Sequence, residues 1–316
     1  MQLNFASSGF LMYLYDMAKI SIDLHLHSKE SDGKLTPTEV VANLVKNKIS
    51  FAALTDHDTA DGSQEFITAA KFNGIKTISG TEISAEQNGV GIHILGYGIN
   101  VNDKRLIKFF FRQSVGRKKL FKKYVMLLKK AGFKINQKKY QEYIKIKSVT
   151  KAHVFKLIWE VSENQELCLK KYGLKKTDKI QSIFIDHLMT LPGQIAYVRK
   201  KRVLAKYVID LIHKTGGVAI WAHPGIEMAF KNPHVFPIVF KNLLRSGIDG
   251  LEVFSTAYGH TKKWSTHLYK LAKKHNLIAT MGSDDHDGEK IGQLKVSTKY
   301  QKEAIEKLVA KIRNIK

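Results

Sequence analysis

Residues 19–28 read K-I-S-I-D-L-H-L-H-S, a short apolar run that ends in two histidines, His25 and His27. Along a strand, residues i and i+2 face the same way. Two imidazoles therefore leave the end of one buried strand side by side. Such a pair suits Zn, Mn-type and Fe-type ions alike. Taken alone, H-x-H on a strand has a plainer alternative, two surface or core histidines. What decides between them is whether other strands end in the same way.

Thr36-Pro-Thr-Glu39 follows, with Thr at the N-cap, Pro at N1 and Glu at N3, the pattern of a capping box that opens a helix. Residues 50–55 then read as a buried strand ending in Asp56-His57-Asp58. A helix over 63–72 stops at Gly74. A third strand, 75–78, leads into Gly80-Thr81-Glu82, and a fourth, 91–96, carries His93 inside it. From 99 to 198 the periodicity is helical. Phe109, Phe110, Val115, Leu120, Tyr124, Leu127 and Leu128 fit one face of a long helix, and 148–160 reads as another. The first pattern resumes near Arg202. A helix (203–214) precedes a strand (218–221) that ends Ala222-His223-Pro224-Gly225. Helix 235–245, strand 248–254, helix 261–275 and strand 277–281 come next, the last ending Gly282-Ser-Asp284-Asp-His286. Seven strands separated mostly by helices predict an α/β fold with a parallel sheet closed into a barrel, its chemistry at the strand ends. The expected divisions are an N-terminal extension (1–18), a first barrel part (19–98), a basic helical insertion (99–200) and a second barrel part (201–316). Met17-Ala-Lys-Ile-Ser reads as a start, which would make 1–16 an upstream extension.

Charge adds a second signal. The formal net charge is +24, and residues 101–206 hold 28 Lys/Arg against 7 Asp/Glu. This surplus favours RNA, DNA or acidic small substrates; the alternative is a solvated lysine-rich surface. No apolar run is long enough to span a bilayer, and the apolar patch at 10–15 lacks the basic leader of a secretory signal. The single cysteine, Cys168, excludes an intrachain disulfide and a cysteine-built zinc site. A cytoplasmic protein with no membrane association and no obligate protein partner is expected.

Five strands thus lead into His, Asp or Glu, and His93 sits within a sixth. Six histidines (His25, His27, His57, His93, His223, His286) and three carboxylates (Asp32, Glu82, Asp284) would meet at one rim. Desolvating that many imidazoles and carboxylates without a cation is costly. One ion takes three or four protein ligands, so nine suffice for two ions, or for three with shared bridges. Glu82 and Asp284 are the natural bridges, since each carboxylate has two oxygens. Asp56 and Asp58 flank His57 and could orient it; for Asp58 a helix cap is the alternative.

His25-Leu-His27, Thr55-Asp-His57-Asp, Gly80-Thr-Glu82-Ile-Ser, His93-Ile-Leu-Gly, Ala222-His223-Pro-Gly and Gly282-Ser-Asp284-Asp-His286 together resemble the motifs of the polymerase and histidinol phosphatase (PHP) superfamily. Their order and spacing are similar to the TrpH-like branch, over about residues 19–290. The resemblance implies a distorted (β/α)7 barrel with a helical insertion and a site for two or three divalent ions, with Mn expected and Zn or Fe as alternatives. It implies a phosphoric ester hydrolase, a 3′,5′-nucleoside bisphosphate phosphatase or a 5′-to-3′ exoribonuclease on short RNA, in which a metal-bridging hydroxide attacks phosphorus. It matches His25, His27, Glu82 and Asp284 to the first ion and Asp32, His57 and Glu82 to the second, with His93, His223 and His286 completing the set. His260 and Asp58 are the candidate catalytic groups. His260, Lys151 and Arg199 are the candidate substrate contacts, with Lys200 beside them. The sequence departs from the pattern at Gln194, where the family often carries a basic residue, and at Lys151, where many relatives carry Arg, which puts the phosphate-binding details in question. Rival readings are a histidinol-phosphate phosphatase, a non-catalytic PHP module acting with a nucleic-acid partner, and a basic RNA-binding protein with a structural metal.

Overall fold

A computed structural model describes residues 20–177, 179–199, 202–225, 234–257 and 260–315. The expected extension at 1–18, together with Lys200, lies outside them. The described residues fall into two compact units, one lying within 1–29, 33–106 and 202–316, the other within 30–32 and 107–201.

The first unit opens with β1 (Ile22–Leu26), buried along its whole length. Helix α1 (Pro37–Lys46) starts where the capping box places it: Thr36 and Glu39 satisfy each other's backbone N–H groups. β2 (Phe51–Leu54) pairs in parallel with β1 and with the two-residue β3 (Lys76–Thr77), which α2 (Ser63–Phe72) precedes. The sequence reading made Glu82 the end of the third strand. Instead Gly80 begins a strand of its own, β4 (Gly80–Gln87), which turns back into β5 (Val90–Tyr97). The turn is Asn88-Gly89, both at positive φ (55° and 77°), the combination that matches strand twist in a two-residue hairpin. β5 is therefore antiparallel to both neighbours, β4 and β6 (Val218–Trp221).

Helix α8 (Ala205–Lys214) precedes β6, and α9 (Phe236–Arg245), β7 (Gly250–Ser255), α10 (Lys262–Lys274), β8 (Ile278–Gly282) and α11 (Thr298–Ile315) follow it. β6, β7 and β8 are parallel. Bridges join Leu26 to Asp285 and His57 to Glu82. The two sheets thereby close into a ring in which β3 and β4 follow one another along the same flank of β2, giving seven positions. Leu24, Leu95, Tyr97, Val218, Ile220 and Met281 form its core together with Ile305, Leu308 and Ile312 of α11.

The second unit holds α3 (Lys104–Lys130, which starts in the first), α4 (Gln137–Tyr143), α5 (Lys151–Trp159), α6 (Ser162–Tyr172) and α7 (Ile180–Leu188). Phe121, Tyr124, Leu128, Phe155, Leu157, Cys168 and Phe184 form its core. Val115, expected on the apolar face of α3, is 39% exposed. At the start of α5 the Thr150 N–H donates to Nδ1 of buried His153 at 3.1 Å. That bond requires a bare Nδ1, and burial holds the His153 pKa down to about 4. The folded pKa lies below the unfolded one, so the contribution is complete above about 6.5 and is lost as pH falls towards 4. It amounts to about 3 kcal/mol at most. Urea denaturation near pH 7.5 and 4.5 should show a smaller acid loss for His153→Gln than for the parent. Equal losses would contradict this.

Candidate metal centre

Backbone register brings the rim residues together. The His27 N–H donates to Asp285 O and the Asp284 N–H to His25 O, both at 2.9 Å, locking the end of β1 against the end of β8. The Glu82 N–H donates to Asp56 O, and the Asp58 N–H to Glu82 O, setting Glu82 beside His57. His93 lies mid-strand yet reaches the same rim, because β5 runs downwards and its carbonyl accepts from the Ala222 N–H, one residue before His223.

Glu82, wholly buried, is the hub. Its Oε2 lies 3.3 Å from His25 Nε2, 3.2 Å from His27 Nε2 and 3.0 Å from His57 Nδ1. Its Oε1 lies 3.1 Å from His93 Nδ1 and 2.9 Å from His223 Nε2. Asp284 Oδ1 is 3.5 Å from His25 Nε2, 3.3 Å from His27 Nε2 and 3.8 Å from His286 Nδ1. Asp58, His223 and Asp284 hold positive φ (49°, 27° and 52°), a backbone cost that a functional rim commonly carries.

Does this donor set fit metal ions? His25 Nε2 and Glu82 Oε2 are sealed from solvent and make no hydrogen bond despite their closeness. Buried polar atoms left this way are expensive, and a cation between them would satisfy both. Among the described residues, His25, His27, Glu82 and Asp284 offer ligand atoms within 4.8 Å of one another, as do His57, Glu82 and His93, and His27, His57 and His286. The electrostatics agree. Burial lowers the histidine pKa values, yet the carboxylates more than reverse it: Glu252 and Glu82 raise His25 well above its usual value, and Asp284 and Glu82 raise His27 to about 10. Burial likewise opposes the charge on Glu82, but His57, His93 and His25 hold its pKa well below the carboxylate range. The cluster draws positive charge, and the residues fit divalent ions.

Glu252 was not singled out by sequence reasoning. It is wholly buried on β7. Its Oε1 meets His25 Nδ1 at 2.9 Å and its Oε2 accepts the His223 N–H at 2.8 Å. A lone glutamate inside the apolar run Gly250-Leu-Glu-Val-Phe was the signal available. Carboxylate partners of this kind fix the ring orientation of a ligating histidine. Glu252→Gln should weaken divalent-ion binding by about 10- to 100-fold in a metal titration; unchanged affinity would remove Glu252 from the account. Asp23 was also missed. Buried on β1, it accepts from the Ser283 N–H at 2.9 Å and so ties β1 to β8. Burial raises its pKa to about 7, against the opposing Ser283 hydrogen bonds.

Asp56 accepts from the Ser28 N–H and hydroxyl, both at 2.7 Å, and so fixes the loop after β1. Asp58 Oδ1 accepts from the Ser84 N–H at 2.8 Å. Asp32 is buried in the segment Glu30–Asp32 after β1. His260 lies near the His223 loop: a Cβ on Gly225 would sit 3.6 Å from its Nδ1. Its Nε2 meets Ser265 Oγ at 2.8 Å and its buried Nδ1 makes no hydrogen bond. Burial lowers its pKa, so the ring is neutral near pH 7. Lys151 Nζ donates to Met189 O at 2.9 Å and to Thr190 Oγ1 at 3.3 Å within the helical unit. Gln194 there serves the loop, its Oε1 accepting the Thr190 and Leu191 N–H groups. Arg199 is exposed.

Known proteins resemble this chain along most of its length. A family profile described as PHP domain matches residues 23–315. A 5′-3′ exoribonuclease of Haemophilus influenzae is 32% identical over 267 residues, covering 84% of this chain and 89% of the relative. A 3′,5′-nucleoside bisphosphate phosphatase of Chromobacterium violaceum is 27% identical over 274 residues, covering 84% and 87%. A solved structure described as an amidohydrolase from Chromobacterium violaceum, with bound sulfate and no metal, superposes with a TM-score of 0.76 at 25% identity, covering 92% of this chain and 96% of that one.

Proposed function

The chain belongs to the PHP domain family and is a metal-dependent phosphoester hydrolase; on that premise we propose that it acts on nucleotides, as a 3′,5′-nucleoside bisphosphate phosphatase, a 5′-to-3′ exoribonuclease on short RNA, or both. The observation that carries the hydrolytic part is Glu82, one buried carboxylate within 3.3 Å of five imidazoles. The nucleotide part is supported by the named activities of the two relatives and by the cationic surplus of residues 101–206. In this reading the ligands are His25, His27, Asp32, His57, Glu82, His93, His223, Asp284 and His286, holding two or three ions, with Mn first among the candidates and the cytoplasm as the compartment. Divalent ions bound there would activate water and neutralise phosphoryl charge.

The chain's own residues do the rest. Glu252 orients His25 and holds the His223 backbone. His260, neutral near pH 7 and close to the His223 loop, is suited to hydrogen-bond a substrate phosphate rather than to deliver a full proton. Asp58 holds the backbone of β4, which carries Glu82, through Ser84. Lys151 and Arg199 remain proposed phosphate contacts on the strength of their charge.

The test supplies Mn with adenosine 3′,5′-bisphosphate, 5′-phosphorylated short RNA and histidinol phosphate. Release of inorganic phosphate or mononucleotides from the first two, stopped by EDTA and lowered about 10²-fold or more in His223→Ala, is expected. Turnover of histidinol phosphate alone would overturn the nucleotide reading.

A further inference from the structure

Helix α3 carries a surface that the metal chemistry does not use. Over its 27 residues it holds eleven Lys or Arg and no Asp or Glu. Lys108, Phe111, Arg112, Val115, Lys119, Lys122, Lys123 and Met126 are all exposed, and their spacing of three and four residues sets them along one stripe. Phe111 stands 69% exposed in the middle of these cations. The stripe from Lys108 to Lys123 runs about 22 Å along the helix axis.

We propose that this stripe is a binding surface for single-stranded RNA, in which Phe111 stacks on a base and Arg112, Lys119, Lys122 and Lys123 face successive phosphates. Aromatic platforms set among cations are how sequence-tolerant single-strand binding is built, with sites from about four nucleotides upward. The charge complementarity is one-sided, since the helix offers a polyanion no repelling carboxylate. A membrane surface fits less well. A helix lying in a bilayer interface needs a continuous apolar face, and that face of α3 (Phe121, Tyr124, Val125 and Leu128) is buried in the core of the helical unit. The exposed apolar residues are few: Ile107, Phe111 and Val115 adjoin at four-residue spacing, but Lys108, Arg112 and Lys119 flank them and Met126 stands three turns further on, which is too short a stripe for that. The inference rests on the RNA reading above for its class of ligand, but it concerns binding and not hydrolysis.

The experiment measures fluorescence anisotropy of a labelled, phosphorothioate-linked RNA strand of about eight nucleotides on the full chain, across a salt series. Binding is expected to weaken about tenfold in Phe111→Ala. In the combined Lys119→Gln/Lys122→Gln/Lys123→Gln variant, binding should weaken further and the slope of log K against log salt should fall by about 2. Melting temperature and metal content confirm that each variant is folded. Unchanged affinity and slope in both variants would overturn the proposal, as would parent protein that binds anionic phospholipid vesicles and not RNA. A parent that hydrolyses no nucleotide yet binds RNA through this stripe would defeat the catalytic reading and leave this one standing.

Discussion

Glu82→Gln is expected to lower phosphoester turnover by about 10³-fold and to abolish the rise in melting temperature that added Mn gives the parent. The amide keeps the shape of the side chain and removes its charge. One of its two ends can no longer accept, and that end faces His25, His27 and His57 or else His93 and His223. Among the described residues, no other side chain stands close to five rim histidines at once, so the loss cannot be shared out. Steady-state kinetics and a thermal shift series with and without Mn measure the two effects. A variant that keeps both its turnover and its metal response would show that Glu82 is not the hub.

Gly282→Ala should be nearly as damaging by a different route. Gly282 ends β8, and a Cβ there would sit 2.2 Å from His25 Cβ and 2.6 Å from the His25 backbone nitrogen. No rotamer change relieves a clash with backbone, so β1 and β8 must part at the hydrogen bond that places Asp284 beside His25. We expect at least about 3 kcal/mol of lost stability, with metal binding lost in whatever folds. Gly116→Ala is the control. It lies in α3 with nothing within 4 Å of the new Cβ, and should stabilise by about 0.5–1 kcal/mol through helix propensity. Equal melting temperatures for the two variants would mean that β1 and β8 do not approach as described.

Much of the site was legible in the sequence because its ligands sit where apolar runs stop. His25-Leu-His27 and Asp284-Asp-His286 each carry two candidate donors at i and i+2, and each is flanked by turn residues. The β4–β5 hairpin was legible only in part. Its turn, Asn88-Gly89, is a strong local signal, but Thr81-Glu82-Ile83-Ser84 lies close enough to β3 to be read as its end. That misreading changed the expected direction of β5 and hid why a mid-strand histidine reaches the rim. Glu252 and Asp23 went unseen for a different reason. Each is a single acid within a buried strand, and only the partner that another strand brings to it, His25 or Ser283, explains it. Val115 keeps helical period yet faces solvent, because periodicity identifies a stripe without saying how wide it is.

Diffraction from a crystal soaked in Mn, recorded where Mn scatters anomalously, tests the central claim most directly. The account predicts two or three anomalous peaks against Glu82 and Asp284, with ring nitrogens of His25, His27, His57, His93 and His223 at bonding distance. No peak there, with the carboxylates and imidazoles hydrogen-bonded only to one another, would contradict it.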